Sequence, residues 1–172
     1  MRKVVLTGCS GGGKSTLLAA LGAEGHATVA EPGRRVIAAE RLNGMNGLPW
    51  ADVRRFSDLA FWMAVGDHAT ADADLTFFDR SALDQAAWYA REGLSPPGEV
   101  PVYDPVVLLA PPWPEIFVQD DDRRHGWDDA VAEYTDLATR LPEWGYRCYE
   151  LPRCSVVDRV IFVRDTLAKA PV

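Results

Sequence analysis

The stretch from Gly8 to Ser15 constrains the fold more than any other part of the chain. It reads Gly-Cys-Ser-Gly-Gly-Gly-Lys-Ser and matches the pattern G-x-x-x-x-G-K-S/T of a phosphate-binding loop. The apolar run Lys3–Thr7 before it predicts a strand, and the pattern over Lys14–Leu21 after it predicts a helix that ends at Gly22. A glycine-rich turn between a strand and a helix lets successive backbone N–H groups face phosphate oxygens. The sequence therefore predicts an α/β fold that binds a phosphorylated ligand.

The residues of this loop have predicted roles in binding a nucleoside triphosphate. Lys14 would reach the β- and γ-phosphates, and the Ser15 hydroxyl would hold Mg²⁺. The predicted nucleotide-binding residues are Gly8, Ser10, Gly11, Gly12, Gly13, Lys14, Ser15 and Thr16. Because Lys14 is predicted to act on phosphate, we expect its side chain to be exposed until phosphate binds.

Short apolar runs alternate with stretches of helical period in the rest of the chain, which predicts a parallel sheet covered by helices. The further predicted strands are Ala27–Ala30, Leu75–Phe78, Val106–Ala110 and Arg147–Leu151. The further predicted helices are Arg34–Arg41, Asp52–Asp72, Ser81–Glu92, Asp128–Leu141 and one that begins near Ser155. In the second of these helices, the stripe predicted to face the core consists of Phe56, Leu59, Ala60 and Met63.

Length and composition fit one ordinary domain over residues 1–172. Apolar residues make up 48% of the chain, and the formal net charge of −7 disfavours non-specific binding to long nucleic acid. No apolar run reaches the ~20 residues of a membrane helix, and Met1-Arg2-Lys3 leads into a strand without a signal-peptide pattern. We therefore expect a cytoplasmic protein that binds a small ligand and no membrane.

A second candidate site lies where the strand Leu75–Phe78 ends. Asp79 follows that strand, at a position from which a carboxylate can assist Mg²⁺ beside Ser15, although it could also cap the next helix. The next residue is Arg80, whereas hydrolysing motors of the P-loop class commonly have a glutamate there to activate water. An arginine at this position would bring positive charge to a substrate or a phosphate.

Glu31 ends the second predicted strand, at the carboxyl edge where open α/β sheets bind their ligands. A carboxylate that faces a substrate hydroxyl there could accept its proton as the hydroxyl attacks the γ-phosphate. Pro32 could simply begin a helix at its favoured first position, with Glu31 as a solvated or capping residue. The sequence leaves both roles open for Glu31.

A charged segment follows a proline-rich stretch and precedes a helix, which is the position of a mobile lid. We expect the lid at about residues 111–127. Arg123 and Arg124 could close over the triphosphate there and neutralise the transferring phosphoryl group. A solvated charged turn is the alternative for this segment.

Several blocks, taken in order along the chain, resemble the small P-loop ATPase and kinase domains related to the nicotinamide-riboside kinase domain, often described as AAA-type ATPases. These blocks are Gly8–Thr16, Glu31–Arg35, Phe78–Ser81 with Asp84, Trp113–Glu115 with Asp120–Arg124, and Leu151–Pro152 with Ser155 through Arg159. The resemblance implies a five-stranded parallel sheet like that of nucleoside and nucleotide kinases, with a lid after the fourth strand. Deoxynucleoside kinases carry a glutamate after the second strand as base and an acidic-Arg-Ser motif after the third, which implies catalytic roles for Glu31, Asp79 and Arg80.

Together the residues and the resemblance predict an ATP- and Mg²⁺-dependent phosphotransferase that acts on a small, nucleoside-like hydroxyl acceptor. The predicted catalytic residues are Lys14, Glu31, Asp79, Arg80, Arg123 and Arg124, and the predicted metal ligands are Ser15 and Asp79. Adenine is favoured over guanine because none of the three lysines lies in an Asn/Thr-Lys-x-Asp motif. The alternative function is a nucleotide-binding switch or slow ATPase that acts on a partner protein.

Overall fold

Five parallel strands form one sheet in the computed structural model, which describes residues 1–118 and 126–170. The strands are β1 (Arg2–Gly8), β2 (Ala27–Val29), β3 (Leu75–Asp79), β4 (Val106–Ala110) and β5 (Arg147–Glu150). Their order across the sheet is β2-β3-β1-β4-β5. The central strand β1 pairs with β3 on one side and with β4 on the other, so the loop that follows β1 lies in the middle of the carboxyl edge. The predicted fold class is confirmed.

Six α-helices connect these strands in the described part of the chain. They are α1 (Lys14–Ala23), α2 (Pro32–Leu42), α3 (Val53–Thr70), α4 (Ala82–Arg91), α5 (Trp127–Glu143) and α6 (Val156–Lys169), and a short 3₁₀ turn spans Pro114–Ile116. Among the helices, α2 packs against α3, α3 packs against α4, and α1 packs against α6. Within the described ranges, none of the helices has both the length and the apolar character needed to cross a membrane.

The core has two halves because the side chains of a strand alternate between the two faces of the sheet. Leu6 of β1 packs in the half that also contains residues of α1 and α6. Val5, the neighbouring residue, packs in the half that contains residues of α3, α4 and α5. Both side chains are fully buried. Because helices cover both faces of the sheet, the central strand β1 has a nearly continuous run of apolar residues in the sequence.

The predicted end of α1 at Gly22 was wrong, because the helix continues to Ala23 and the left-handed turn is made by Gly25, at φ +93°. A glycine permits such a turn without requiring it, so the presence of Gly22 did not determine where the helix ends. The other predicted boundaries agree with the structure to within about two residues, the usual uncertainty of helix and strand ends.

The stripe predicted to face the core along α3 was only partly right. Ala60 is buried, but the other buried residues of the helix are Ser57, Phe61 and Ala64. Leu59 and Phe56 are half-buried. Apolar residues occur on more than one face of α3, so their spacing alone did not identify the face that packs on the sheet. Phe56 lines a cavity instead, which is described below.

Candidate active site

The phosphate loop turns sharply where β1 ends, and two of its glycines are required by the main chain. Gly8 has φ +102°, and a Cβ atom there would lie 2.5 Å from the carbonyl oxygen of Ala110 in β4. Gly13 has φ +79° and occupies the position before the first residue of α1. These conformations place the N-terminus of α1 directly after the loop. Unpaired N–H groups and the positive end of the helix dipole therefore face the same side of the loop.

Lys14 is buried rather than exposed, which corrects the expectation from the sequence. Its ammonium donates hydrogen bonds to the carbonyl oxygens of Cys9, at 2.8 Å, and Gly8, at 3.4 Å, and 5% of the residue is accessible. The curled loop supplies carbonyl partners that the sequence pattern does not show. Burial lowers the pKa of Lys14, as does the nearby Arg80, whereas the charge of Asp79 opposes the shift.

Ser15 and Asp79, the predicted metal ligands, lie in contact with each other. The Ser15 hydroxyl donates to Oδ2 of Asp79 at 2.7 Å, and Asp79 is 2% exposed. Within the described ranges, Oδ1 of Asp79 is buried and has no hydrogen-bond partner. The capping alternative for Asp79 does not hold, because the side chain of Ser81 caps α4. A hydroxyl beside a carboxylate with an unsatisfied oxygen suits a hard divalent cation such as Mg²⁺.

Arg80 lies at the centre of a cluster of carboxylates. Its guanidinium donates to both carboxylate oxygens of Glu133, at 2.7 and 3.0 Å, and to Oδ1 of Asp84 at 3.1 Å. Its Nε also lies 3.3 Å from Oε1 of Glu31. Burial by itself lowers the pKa of Arg80, but the carboxylates of Glu133, Glu31 and Asp84 outweigh it and raise the pKa well above its ordinary value. The arginine is therefore a permanent positive charge shared by three acidic side chains.

Glu31 occupies the position before α2, and Pro32 is the first residue of that helix. Its side chain makes no capping hydrogen bond. Oε1 instead faces Arg80, and Oε2 lies 3.4 Å from Nε of Arg34. The carboxylate of Glu31 thus lies between Arg80 and Arg34, and it does not cap the helix.

Asp84 and Glu133 complete the cluster, although neither was among the predicted site residues. Asp84 is buried and accepts hydrogen bonds from the Thr7 hydroxyl and from the N–H of Ser81. Burial raises the pKa of Asp84, whereas Arg80 and the Thr7 hydroxyl lower it. The Ser-x-x-Asp spacing of a capping box could have located Asp84. No local pattern marks Glu133, which comes from α5.

Two cavities adjoin the phosphate loop. The helix cavity, of about 440 Å³, extends from Ser10 between α2, α3, α4 and α5. Its polar end contains Glu31, Arg80, Asp84 and Glu133, and its apolar walls include Ile37, Phe56, Trp88 and Leu137. The loop cavity, of about 370 Å³, is formed by Gly11 and Gly13–Thr16, and by Trp113, Ile116, Cys154, Val156 and Arg159.

Arg159 of α6 braces the loop cavity, and the predicted site residues did not include it. Its Nη1 donates to the carbonyl oxygen of Gly12 at 2.8 Å, and its Nε donates to that of Pro152 at 2.7 Å. The guanidinium carbon lies 4.7 Å from the centroid of the Trp113 ring. Nη2 is buried and has no partner among the described residues. Burial lowers the pKa of Arg159. The side chain therefore joins the phosphate loop to two neighbouring segments.

The predicted lid is described only in part. Arg123 and Arg124 lie outside the described residues. The described portion of the predicted lid includes the 3₁₀ turn Pro114–Ile116, whose last residue lines the loop cavity.

Many solved structures share this fold, including the three that follow, whereas no curated protein matches the sequence. A deoxyadenosine kinase from M. mycoides, solved with dCMP and dCDP, has a TM-score of 0.72 at 14% identity, over 98% of this chain and 100% of that chain. A thymidylate kinase from Ehrlichia chaffeensis has a TM-score of 0.60 at 16% identity, over 96% and 98% of the two chains. A shikimate kinase from Acinetobacter baumannii, solved with shikimate, has a TM-score of 0.56 at 16% identity, over 98% and 93%. The chain thus has the fold of P-loop kinases.

A family model described as an AAA domain matches residues 3–159, which include the phosphate loop, the cluster around Arg80 and Arg159. The matched range covers most of the chain and nearly all of the sheet. The chain therefore belongs to this AAA domain family of P-loop proteins.

Proposed function

We propose that the protein is a Mg²⁺-dependent kinase that transfers the γ-phosphoryl group of ATP to a hydroxyl group of a small, nucleoside-like acceptor. The observation that carries the proposal is that two cavities adjoin one phosphate loop. Hydrolysis needs room only for a water molecule, whereas the helix cavity, of about 440 Å³, has the size of a small-molecule site. Its polar end contains Glu31 and Arg80, beside the loop residue Ser10.

The loop cavity is the proposed nucleotide site. The backbone N–H groups of the loop and the N-terminus of α1 would bind the phosphates. Lys14 would exchange its contacts with the carbonyl oxygens of Cys9 and Gly8 for contacts with phosphate oxygens. The ring of Trp113, which lines the same cavity, is an apolar wall suited to the nucleotide base.

Ser15 and Asp79 are the proposed residues for Mg²⁺, because they place a hydroxyl next to a carboxylate oxygen that lacks a partner. A bound magnesium ion would neutralise part of the charge on the phosphates. Both residues lie at the carboxyl edge of the sheet, Asp79 at the end of β3 and Ser15 in the first turn of α1.

Glu31 is the proposed general base. Its carboxylate would take the proton of the acceptor hydroxyl while the hydroxyl oxygen forms a bond to the γ-phosphorus. The bond between that phosphorus and the bridging β–γ oxygen breaks, and ADP leaves with the electron pair. Arg80, 3.3 Å from Glu31, would hold the carboxylate in place and stabilise negative charge on the transferring group. Arg123 and Arg124 remain proposed contributors from the segment that follows the 3₁₀ turn.

The proposal is tested by measuring ADP release from ATP with a panel of nucleosides and other small alcohols, followed by mass spectrometry of the products. We expect ATP consumption to depend on an added acceptor and the product to gain one phosphoryl group. Slow turnover that no acceptor stimulates, together with nucleotide-dependent binding of a protein partner, would support the switch instead.

A further inference from the structure

The charge of the helix cavity limits the kind of acceptor that it can bind. Its lining contains five carboxylates and three guanidinium groups, a formal excess of two negative charges. The carboxylates are those of Glu31, Asp84, Asp129, Glu133 and Asp136, and the guanidinium groups are those of Arg34, Arg80 and Arg91. Because like charges in a partly dehydrated site repel strongly, this excess opposes an anionic ligand.

Two of the three guanidinium groups are engaged by carboxylates of the cavity, and Nε of the third, Arg91, lies 3.8 Å from Oε1 of Glu92. Arg80 contacts both oxygens of Glu133 and one oxygen of Asp84, and it also lies against Glu31. Arg34 lies against the other oxygen of Glu31. A phosphate or carboxylate on the acceptor would have to displace these carboxylates, which would then be left with a buried or half-buried charge. That exchange is unfavourable because a desolvated charge without a partner is costly.

The cavity instead offers acceptor oxygens to a ligand that donates hydrogen bonds. Oδ1 of Asp136 accepts from Nε of Arg140 at 2.7 Å, and the side chain of Asp136, which lines the cavity, is 18% exposed. Asp136 lies three residues after Glu133, so both carboxylates are on one face of α5. Hydroxyl or amino groups of a ligand are the natural partners for such oxygens.

The opposite part of the cavity is apolar and contains two half-buried aromatic rings, those of Phe56 and Trp88. Flat rings favour a flat, weakly polar group. Resting on the proposed kinase function, we infer that the acceptor is an uncharged or cationic nucleoside-like alcohol, and that nucleoside monophosphates and carboxylate-bearing alcohols are excluded by charge.

The experiment compares nucleosides with their own 5′-monophosphates, so that each pair differs in charge and not in the base. Phosphorylation is measured as kcat/KM with ATP and Mg²⁺, and binding is measured by calorimetry in the presence of a non-hydrolysable ATP analogue. Shikimate serves as a carboxylate-bearing alcohol. Because the 5′ hydroxyl is esterified in the monophosphate, the effect of charge is judged from binding. We expect the preferred nucleoside to bind about 100-fold more tightly than its 5′-monophosphate.

Two variants distinguish the effect of a charge that lines the cavity from the effect of a charge elsewhere on α5. Asp136→Asn removes a negative charge from the cavity and should reduce the preference for nucleoside over monophosphate by about 3- to 10-fold. Asp128→Asn removes a charge from an exposed position of the same helix that does not line the cavity, and should change the preference by less than about twofold.

The outcomes distinguish this inference from the proposed function. Preferred phosphorylation or tighter binding of a monophosphate or of shikimate would overturn the charge argument and leave the kinase proposal standing. An equal preference in the Asp136→Asn and unmodified proteins would also count against the charge argument. If no member of the panel is either bound or phosphorylated, both the inference and the kinase proposal fail.

Discussion

The two cavities differ in the parts of the protein that line them. The loop cavity includes the phosphate loop itself, with Gly11, Gly13 and the first turn of α1, and Arg159 of α6 braces the main chain of that loop. The helix cavity is formed by side chains that project from four helices. Main-chain N–H groups can bind the phosphates that every nucleoside triphosphate shares. A site made of side chains can change its ligand with a few substitutions, so we expect specificity to reside there.

The largest expected effect comes from a substitution at Glu31, which should impair phosphorylation of the acceptor without weakening the binding of ATP. Glu31→Gln preserves the size of the side chain and removes its ability to accept a proton, so acceptor phosphorylation should fall by about 10²- to 10⁴-fold. The affinity for ATP should stay within about twofold, because Glu31 lines the helix cavity and not the loop cavity. Single-turnover kinetics and calorimetry measure the two effects separately.

Glu99→Gln is a matched control for that prediction, since Glu99 is exposed and lines neither cavity. The Glu99→Gln substitution should leave both acceptor phosphorylation and the affinity for ATP unchanged. Normal phosphorylation by the Glu31→Gln variant would remove Glu31 from the mechanism and leave positioning and Mg²⁺ to explain catalysis.

The next effect concerns the loop cavity. Lys14→Met retains much of the buried aliphatic stem and removes the ammonium, so turnover should fall by about 10²- to 10³-fold through the loss of phosphate contacts. Circular dichroism should show an unchanged fold, because the loop conformation is set by the glycines before Lys14. Full activity in this variant would contradict the assignment of the loop cavity to the nucleotide.

Arg159→Lys should have a smaller effect that is confined to the same cavity. A lysine cannot donate to the carbonyl oxygens of Gly12 and Pro152 at once while lying over Trp113, so the phosphate loop loses a brace. We expect KM for ATP to rise about tenfold and KM for the acceptor to stay the same. Arg164→Lys, at an exposed position of α6, is the control. Equal changes in both KM values would indicate a general loss of structure instead.

The smallest effect is a dependence of nucleotide affinity on pH. Burial, together with the charge of Arg80, lowers the pKa of Lys14 in the free protein, and bound phosphates would raise it. Binding should therefore be strongest below the lowered pKa of the free protein and weaken several-fold as the pH rises toward the pKa of the complex. Calorimetry in buffers of different ionisation enthalpy should detect proton uptake in that range. Proton release on binding would contradict this sign.

The contrast between the cavities also explains which features could be predicted from the sequence. The phosphate loop is contiguous, and Asp79 follows an unbroken apolar strand, so each could be located from local pattern. Glu133 and Arg159 come from amphipathic helices with several charged residues, and only the packing of α5 and α6 determines which of those charges faces a cavity. The burial of Lys14 was missed for a related reason, because its partners are carbonyl groups that no side-chain pattern reveals.

The main chain of Arg80 is hydrogen-bonded to the sheet, whereas its side chain is hydrogen-bonded to a helix. Its φ of +63° is in the left-handed region, which costs a residue with a side chain about 1–2 kcal/mol, and its N–H donates to the carbonyl oxygen of Leu6 in β1 at 2.8 Å. The main contact of its guanidinium is Glu133, on α5. A displacement of α5 would therefore move Glu133 while the main chain of Arg80 stayed bonded to β1. It would change how much of the guanidinium charge is neutralised beside the phosphate loop.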